Sequence, residues 1–348
     1  MRQIRLWAFD GTLASGIAGP IDVLAAANAI WLHQNQGAAE ALFEWRIESP
    51  DGKPVRTRSG MVLNVDGAID ARAGADAVLV PGIFFDGLTT LLKRIDDLRP
   101  LLATLRKHHE RGAIIGANCS ASFLLAEARL LDHRQATTHW LLTKTFQQRY
   151  PQVDLRPDEV ITEEDRIICS GAATSYLNLT LRLIEKFAGP NLAAATAKML
   201  LIDSNRISQA SYRTLTVQQH QPHSDQLILR AQRWMEKRLQ QSFRLRDLAR
   251  DLSVSERTLS RRFSQALGNT PIGYLQSMRM ELAKRLLETT SLSVDAVSER
   301  VGYTDLSSFR RLFKRATGVS PREFKQRFAQ RHRARRATAP ERPRARAA

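Results

Sequence analysis

The chain has 348 residues, of which 43% are hydrophobic and 25% charged, and its formal net charge is +17. This length predicts more than one domain, and the ordinary globular composition excludes a fully disordered chain or a collagen-like repeat. Two cysteines are too few for a disulfide framework, and the lack of a long apolar stretch or a signal-peptide pattern predicts a cytoplasmic protein without a membrane partner.

The first part of the chain alternates between strand and helix signals. Short apolar runs predict buried strands, and longer stretches with apolar residues at helical spacing predict the helices between them. The predicted strands are Ile4–Phe9, Phe43–Glu48, Ala77–Val80 and Ala113–Ala117, with a hairpin at Val160–Cys169. The predicted helices are Leu88–His109, Ser120–Leu131, Thr174–Phe187 and Leu192–Ile202. This alternation predicts an α/β domain over residues 1–203, with a mostly parallel sheet covered on both faces.

The remaining sequence has no convincing strand signal. Residues 204–224 are polar and predict a linker, and residues 225–328 have helical patterns throughout. The last twenty residues, 329–348, hold seven arginines and cannot bury a core, so we expect a disordered tail.

The positive charge is concentrated in this second part. Residues 1–219 contain 24 basic and 23 acidic side chains, whereas residues 220–348 contain 28 basic and 12 acidic ones. Of the latter excess, +10 lies in residues 220–328 and +6 in the tail. A neutral domain joined to a strongly cationic one predicts a polyanionic partner, with nucleic acid favoured over an acidic membrane surface.

An internal repeat lies in the basic part. Each copy is a short amphipathic helix, a tight turn and a second amphipathic helix, and the copies end alike at Gly268–Pro271 and Gly318–Pro321. Ser255 and Asp305 are the predicted N-caps of the second helices. A stretch of helical pattern, Ile272–Leu287, separates the copies and predicts a rigid spacer helix.

The second helix of each copy has two distinct faces. Leu259 with Phe263, and Phe309 with Phe313, stand four residues apart and would face the core, leaving arginines outside. This pattern predicts two helix-turn-helix motifs, with recognition helices about 34 Å apart on one face of DNA. The alternative is a helical bundle whose arginines form a solvated face, but two matched copies in a basic segment favour DNA binding.

Residues 225–328 resemble the AraC/XylS family of transcriptional regulators, most specifically at Val301–Asp305 and Gly318–Phe324. The resemblance implies one recognition helix in each of two successive major grooves of double-stranded DNA, and activation through RNA polymerase more often than repression. By position, the implied base-contacting residues are Arg257, Ser260, Arg261, Ser307 and Arg311. The residues expected to reach phosphates are Arg262, Arg310, Lys314 and Arg315. Arg261 and Arg311 are the best candidates for guanine, since a guanidinium can bind O6 and N7 together.

Cys119 follows a predicted strand and precedes a predicted helix. Such a strand-to-helix turn exposes a nucleophile to a helix N-terminus, which predicts a lowered thiol pKa. Residues 3–200 resemble the class I amidotransferase-like superfamily, in its PfpI-type branch, at Gly19–Val23, Asp76–Gly82, Gly116–Ser120 and Leu130–Trp140. The resemblance implies a flavodoxin-like fold, and its combination with the basic domain is similar to GlxA-type regulators.

The residues that the superfamily uses for catalysis are incomplete here. No His-x-Glu follows Cys119, and Ser120 stands where the PfpI-type proteases carry histidine. Ile83 replaces the small residue expected after Pro81–Gly82, where an oxyanion would be held. We therefore expect no enzymatic activity and regard Cys119 as a vestigial nucleophile. The alternative is a cysteine-dependent amidase or hydratase with a basic nucleic-acid-binding appendage.

A ligand-sensing pocket at the carboxyl edge of the sheet is the favoured role for the neutral domain. Its predicted lining is Asp22, Gly82, Ile83, Phe84, Cys119, Ser120 and His139. The alternative is a vestigial pocket in which Cys119 is only a small buried side chain. We expect no metal or cofactor, an unidentified small-molecule effector, and a homodimer that places two basic domains on DNA. A non-specific nucleic-acid binder is the remaining alternative.

Overall fold

A computed structural model describes residues 1–35, 40–206, 208–212, 224–241 and 243–329. The chain forms two compact units that divide between residues 218 and 219, inside the predicted linker 204–224. The predicted tail, from residue 330 onward, lies outside the described residues.

The first unit is built on a seven-stranded sheet. The strands of the unit are β1 (Arg2–Trp7), β2 (Phe43–Ser49), β3 (Val55–Arg56), β4 (Val62–Leu63), β5 (Gly67–Ala68), β6 (Ala77–Val80), β7 (Ile114–Asn118), β8 (Gln135–Ala136), β9 (Asp154–Leu155), β10 (Ile161–Glu164) and β11 (Ile167–Ser170). The order in the main sheet is β10-β11-β7-β6-β1-β2-β5, and every pairing is parallel except the β10–β11 hairpin. This confirms the predicted mostly parallel α/β fold.

Among the residues that the structure describes, seven α-helices cover the two faces of this sheet. They are α1 (Ser15–Gln34), α2 (Leu88–Asp97), α3 (Leu102–Glu110), α4 (Ser122–Glu127), α5 (Thr143–Arg149), α6 (Tyr176–Ala188) and α7 (Pro190–Met199). Alternate strand residues enter different cores: Val78 and Val80 pack on the side of α2 to α4, whereas Ala77 and Leu79 pack on the side of α1, α6 and α7. Burial on both faces explains why the strands are continuous apolar runs.

The longest helix, α1, was not predicted from the sequence. It contains Gly16, Gly19 and Pro20, and it lacks a polar stripe, so its pattern does not resemble that of an amphipathic helix. By length and composition it could also cross a membrane, contrary to the expectation from the sequence. In the structure, however, Val23, Leu24 and Ala27 are buried in the core beside the sheet. Burial of these residues in the core explains the apolar composition of the helix.

Two predicted helices differ in extent from those observed. The stretch predicted as one helix, Leu88–His109, is divided into α2 and α3 by a 3₁₀ turn at Arg99–Leu101, because Pro100 cannot continue an α-helix. The helix predicted over Ser120–Leu131 is shorter, since a 3₁₀ turn at Cys119–Ala121 precedes α4.

The second unit is entirely helical in the residues described. Its helices are α8 (Gln226–Lys237), α9 (Leu245–Asp251), α10 (Glu256–Leu267), α11 (Pro271–Thr289), α12 (Val294–Arg300), α13 (Leu306–Thr317) and α14 (Pro321–Phe328). The pairs α9–α10 and α12–α13 are the two predicted helix-turn-helix motifs, and α11 is the predicted spacer. Each motif has its own core, and α11 contributes Tyr274 and Met278 to the first and Met280 and Leu287 to the second.

The first unit extends beyond the predicted boundary at residue 203. Gln209, at the end of the described part of this unit, is 3% exposed, and its side-chain Nε2 donates to the carbonyls of Thr138 at 2.9 Å and Pro157 at 3.0 Å. Its Oε1 accepts the backbone N–H of Ala172 at 3.1 Å. Within the segment Ser208–Tyr212, which belongs to the stretch whose polar composition predicted a linker, Gln209, Ala210 and Ser211 are buried, whereas Tyr212 is exposed.

Candidate functional site

The recognition helices α10 and α13 begin at the predicted caps. Ser255 accepts the N–H of Thr258 at 3.1 Å, and the Asp305 carboxylate accepts the N–H groups of Ser307 and Ser308 at 3.1 and 2.9 Å. Each helix ends at a glycine in the left-handed conformation, Gly268 or Gly318, for which glycine is favoured.

The predicted division of faces is present in both helices. The inward residues Leu259, Phe263, Phe309 and Phe313 are fully buried in the two cores. The outward residues Arg257, Arg261, Ser307, Arg310, Arg311, Lys314 and Arg315 are exposed, and Ser260 is half-buried. Both helices therefore present a basic, solvent-accessible face.

Arg262 differs from the other predicted contacts. Its Nε and Nη2 donate to the two carboxylate oxygens of Asp225 at 2.8 and 2.6 Å, and this bonding holds the pKa of Asp225 below its usual range. Arg262 therefore has fewer N–H donors left for a DNA phosphate than a free arginine has, and its role as a phosphate contact stays a prediction. Arg310, by contrast, makes an exposed ion pair with Asp295 at 3.6 Å, and Arg311 donates to the Ser308 hydroxyl at 3.3 Å.

A residue that the sequence analysis did not single out joins the two motifs. Arg279, on the spacer helix α11, donates to the carbonyls of Leu239 at 3.0 Å and Gln241 at 2.7 Å, just before the first motif. Its guanidinium also lies 5.5 Å from the ring centre of Tyr303, in the turn of the second motif. A Cβ at Gly302 would lie 3.0 Å from the Gln240 carbonyl, so glycine permits this close approach.

Cys119 lies at the predicted strand-to-helix turn in the first unit. It has a φ of +60°, a strained conformation that is typical of such an elbow. A Cβ at Gly82 would lie 3.0 Å from the Cβ of Cys119, so a larger residue there would crowd the elbow. The Ser120 hydroxyl accepts the N–H of Ile83 at 2.8 Å and donates to the carbonyl of Ile83 at 2.7 Å.

The electrostatics of this elbow differ from the prediction. Cys119 is only 6% exposed, and burial raises the pKa of its thiol to about 11, rather than lowering it as the helix N-terminus had predicted. Burial disfavours the thiolate because the interior solvates charge poorly, and this outweighs the hydrogen bonds from the backbone and side chain of Ser120, which favour it. The thiol is therefore neutral at physiological pH and is a poor nucleophile.

His139 lies beside the elbow as a structural group. Its Nδ1 accepts the N–H of Leu141 at 3.1 Å, and its ring lies 5.9 Å from that of Phe85. Burial lowers the pKa of the imidazole to about 4, which keeps it neutral near pH 7. Its backbone neighbour Thr138 donates its hydroxyl to the carbonyl of Cys119 at 3.1 Å.

The structure brings together some, but not all, of the predicted pocket residues. Gly82, Ile83, Cys119 and Ser120 contact one another, and the exposed Phe84 lies beside Phe85, which reaches His139. Asp22 is exposed on α1, and its carboxylate makes no hydrogen bond or ion pair with any residue that the structure describes. Within the described ranges, no group of three or more His, Cys, Asp or Glu side chains could hold a metal ion.

Comparisons with known proteins agree with this two-unit architecture. The model of the DJ-1/PfpI family matches residues 2–186, and a model described as a helix-turn-helix domain matches residues 248–327. The HTH-type transcriptional regulator CdhR of Pseudomonas aeruginosa is 31% identical over 281 residues, which are 80% of this chain and 81% of that protein. The chain belongs to the HTH-type transcriptional regulators that carry a DJ-1/PfpI domain. It is thus a DNA-binding transcriptional regulator, as predicted.

Two other similar proteins support this family. The HTH-type transcriptional regulator GbdR, also of Pseudomonas aeruginosa, is 27% identical over 84% of this chain and 77% of that protein. The regulator GlxA of Rhizobium meliloti is 25% identical over 64% of this chain and 68% of that protein. The first unit has the fold of a candidate transcriptional regulator from Vibrio parahaemolyticus, with a TM-score of 0.50 and 18% identity over 57% of this chain and 98% of that one.

Proposed function

We propose that this regulator is controlled by a small molecule bound to its first unit, at the carboxyl edge of the sheet. The proposal is supported by the contrast between the two units. The second unit presents two capped recognition helices with exposed arginines, whereas the first has a near-neutral charge and an α/β fold that commonly binds ligands at this edge. A neutral unit has no electrostatic reason to bind DNA and is available for a different ligand.

In this proposal the second unit reads DNA through α10 and α13. Arg257, Ser260 and Arg261 on the first helix, and Ser307 and Arg311 on the second, are the base-contacting residues. Arg310, Lys314 and Arg315 bind phosphates and set the register. The exposed positions of the arginines and lysine on these helices support the assignment. A homodimer would place four such helices on one promoter, and a ligand would change which half-sites they reach together.

We further propose that the first unit is not an enzyme and that the protein acts in the cytoplasm, with RNA polymerase as a partner where it activates. The raised pKa of the Cys119 thiol supports the first point, because only about one thiol in ten thousand is ionised at pH 7 when its pKa is about 11. The competing hypothesis, a cysteine-dependent amidase or hydratase, requires an accessible thiolate.

Footprinting of the full chain on its neighbouring intergenic DNA, with and without candidate metabolites, tests the regulatory function. We expect protection confined to a promoter, over two successive major grooves, and a change in its extent with one metabolite. Protection that no metabolite alters would refute effector control, and uniform protection of random DNA would favour a non-specific binder. Turnover of any substrate that stops when Cys119 is alkylated, while DNA binding persists, would favour the enzyme.

A further inference from the structure

A cleft that is lined in part by Ile83 opens at the carboxyl edge of the first unit's sheet. Its volume is about 880 Å³, which is within the range of small-molecule sites. Three segments form its walls: the loop that follows β1, the segment that contains β3, and the end of α2. Part of its lining is apolar, because it includes the buried side chains of Phe9, Val55 and Ile83.

Arginines from two of these segments face the cleft in fixed positions. Arg56 and Arg58 belong to the β3 segment, which is fastened to the loop by two backbone bonds, from the N–H of Gly11 to the carbonyl of Arg56 at 2.7 Å and from the N–H of Arg58 to the carbonyl of Thr12 at 2.9 Å. These bonds fix the backbone of Arg56 and Arg58 relative to the loop that follows β1.

The third arginine, Arg94, comes from α2 and lies against the same loop. Its Nη1 donates to the carbonyl of Asp10 at 3.2 Å. The guanidinium lies directly over Gly11, where an added Cβ would be 1.8 Å from Nη1. Gly11 has a φ of +78°, so both its conformation and this contact favour glycine.

Two of these guanidinium groups lack a carboxylate partner among the residues described. Arg56 donates through Nη1 to the carbonyl of Gly60 at 3.3 Å, and Arg94 bonds only to the Asp10 carbonyl. Arg58 is different, because it stacks on Phe84 at 4.9 Å and approaches a carboxylate, that of Asp86, at 3.9 Å. Arg56 and Arg94 therefore retain donors that an anion could accept.

The acidic groups of the cleft do not cancel this charge. Asp51 lies 3.1 Å from the Lys53 ammonium, and the Asp10 carboxylate accepts the backbone N–H of Arg56 at 2.8 Å. With Asp97 included, the lining has three acidic and four basic side chains, which leaves one net positive charge.

A second cavity in the same unit provides a contrast. It has a volume of about 640 Å³ and also contains arginines. There, Arg182 is paired with Glu163 and Glu185, and Arg206 donates to the Asn178 side chain at 3.0 Å. Because those guanidinium groups already have partners, that cavity has fewer N–H donors available to an anion.

We propose that the cleft is the effector site and that it binds a small organic anion. Arg56 and Arg94 hold the carboxylate or phosphate of the ligand, and its apolar part lies on Phe9, Val55 and Ile83. This inference rests on the effector control proposed above and replaces the buried elbow as the place where the ligand binds.

A chain of hydrogen bonds connects the cleft to the end of the first unit. The Ile83 backbone is bonded to the Ser120 hydroxyl, the adjacent Cys119 carbonyl accepts from the Thr138 hydroxyl, and the Thr138 carbonyl accepts from Gln209. Gln209 lies in the segment that leads toward the second unit along the chain. A ligand that displaces Ile83 would thereby act on this segment.

Thermal unfolding of the full chain at constant ionic strength tests the site with three probes: benzoate, phenyl phosphate and the uncharged benzamide. We expect one or both anions, but not benzamide, to raise the melting temperature of the parent. The double variant Arg56→Gln/Arg94→Gln should bind that anion at least about tenfold more weakly, because charge-assisted hydrogen bonds are lost. A control with exposed arginines elsewhere on the unit changed, Arg72→Gln/Arg106→Gln, should respond as the parent does.

Each outcome of this test has a definite meaning. Stabilisation by benzoate alone assigns a carboxylate ligand, and stabilisation by phenyl phosphate alone assigns a phosphate. An equal shift with benzamide, an undiminished shift in the double variant, or no shift with either anion at millimolar concentration would overturn the proposal.

Footprints separate failure of this site from failure of the proposed function. If a metabolite alters the footprint of the parent and of the double variant equally, effector control stands and this cleft is not its site. If the cleft binds anions but no footprint changes, the binding site stands and effector control fails. Gln209→Ala should retain anion binding and lose the change in footprint; an unaltered footprint response would refute the connecting chain.

Discussion

Neighbouring arginines on one recognition helix have different environments. Arg261 is exposed and belongs to the proposed base-reading face, whereas Arg262, one residue later, is held by both oxygens of Asp225. Sequence position alone could not separate them, because Asp225 lies 37 residues earlier and only the packing of α8 against α10 brings the two together.

We expect substitution of a free and of a paired arginine to affect different properties. Arg311→Ala should cost about 1–3 kcal/mol of binding to the specific site, or about 5- to 150-fold in affinity, and leave unfolding unchanged. Arg262→Ala should instead lower the free energy of unfolding by about 1 kcal/mol, since the pair is partly exposed. Titrations with specific and random DNA measure the affinity of each variant, and urea unfolding measures its stability. Equal binding of specific DNA by the parent and Arg311→Ala would contradict the assignment.

The low pKa of His139 predicts a dependence of stability on pH. The unfolded imidazole takes up a proton near pH 6.5, whereas the folded one remains neutral to about pH 4, so stability from this group is lost as the pH falls through that interval. We expect the parent to lose about 2–3 kcal/mol more than His139→Asn between these pH values.

The His139→Asn variant is a matched control, because its side-chain oxygen can still accept the Leu141 N–H but does not titrate. Urea unfolding at several pH values measures the difference. The carboxylates of the protein titrate alike in both proteins, so parallel curves would show that burial of His139 does not oppose its protonation.

The sequence located the elbow but not its chemistry. A strand signal directly before a helix signal placed Cys119 at the turn, because this depends only on local pattern. The thiol pKa depends on how completely other segments bury it, and Thr138 and Gly82, which approach it, are distant in sequence. The cleft that contains Arg56 and Arg94 was not predicted for the same reason. These two residues are distant in sequence, and each is hydrogen-bonded to the loop between β1 and α1.

At the scale of elements, the segment Ser208–Tyr212 shows that composition can mislead. The polar composition of residues 204–224 predicted a linker, but Gln209 is buried and donates to carbonyls from two other segments. Helices with one apolar face, such as α10 and α13, were predicted well because their pattern follows from burial on one side. Helix α1 has no such asymmetry, so its apolar run carried no helical signal.

We expect Gln209→Ala to destabilise the first unit by about 1–3 kcal/mol, because it leaves the buried carbonyls of Thr138 and Pro157 without their donor. Limited proteolysis should cut within residues 204–212 faster than in the parent. Urea unfolding and fragment mass measure the two effects. Gln147→Ala, at an exposed position on α5, is the control and should change neither; equal behaviour of both variants would mean that Gln209 does not fasten the segment.

At the scale of the whole molecule, the positive charges of the two motifs and of the tail have different roles in DNA binding. The two motifs carry the arginines at matched positions that can read bases, whereas the residues after Phe328 add seven arginines and one glutamate without such a pattern. The net charge of +17 therefore contributes to both sequence-specific and non-specific binding of DNA.

Deleting residues 329–348 should weaken binding to specific and random DNA by a similar factor. It should also flatten the dependence of log K on log salt, because fewer counterions are released from the phosphates. Affinities at several salt concentrations measure both effects. A full-length variant with its seven tail arginines replaced by glutamine should behave as the deletion does. A loss confined to specific DNA would show instead that the tail reads sequence.

The contact made by Arg279 has a consequence for the promoters that this protein can use. Bonded to Leu239 and Gln241 and stacked on Tyr303, it keeps the two motifs from turning independently. One added base pair between their half-sites rotates the second by about 35° around the DNA axis, since a turn contains 10–10.5 base pairs. A protein with a flexible joint could follow that rotation. In this protein the two motifs are held together, so we expect the spacing between the half-sites to be recognised together with their base sequence.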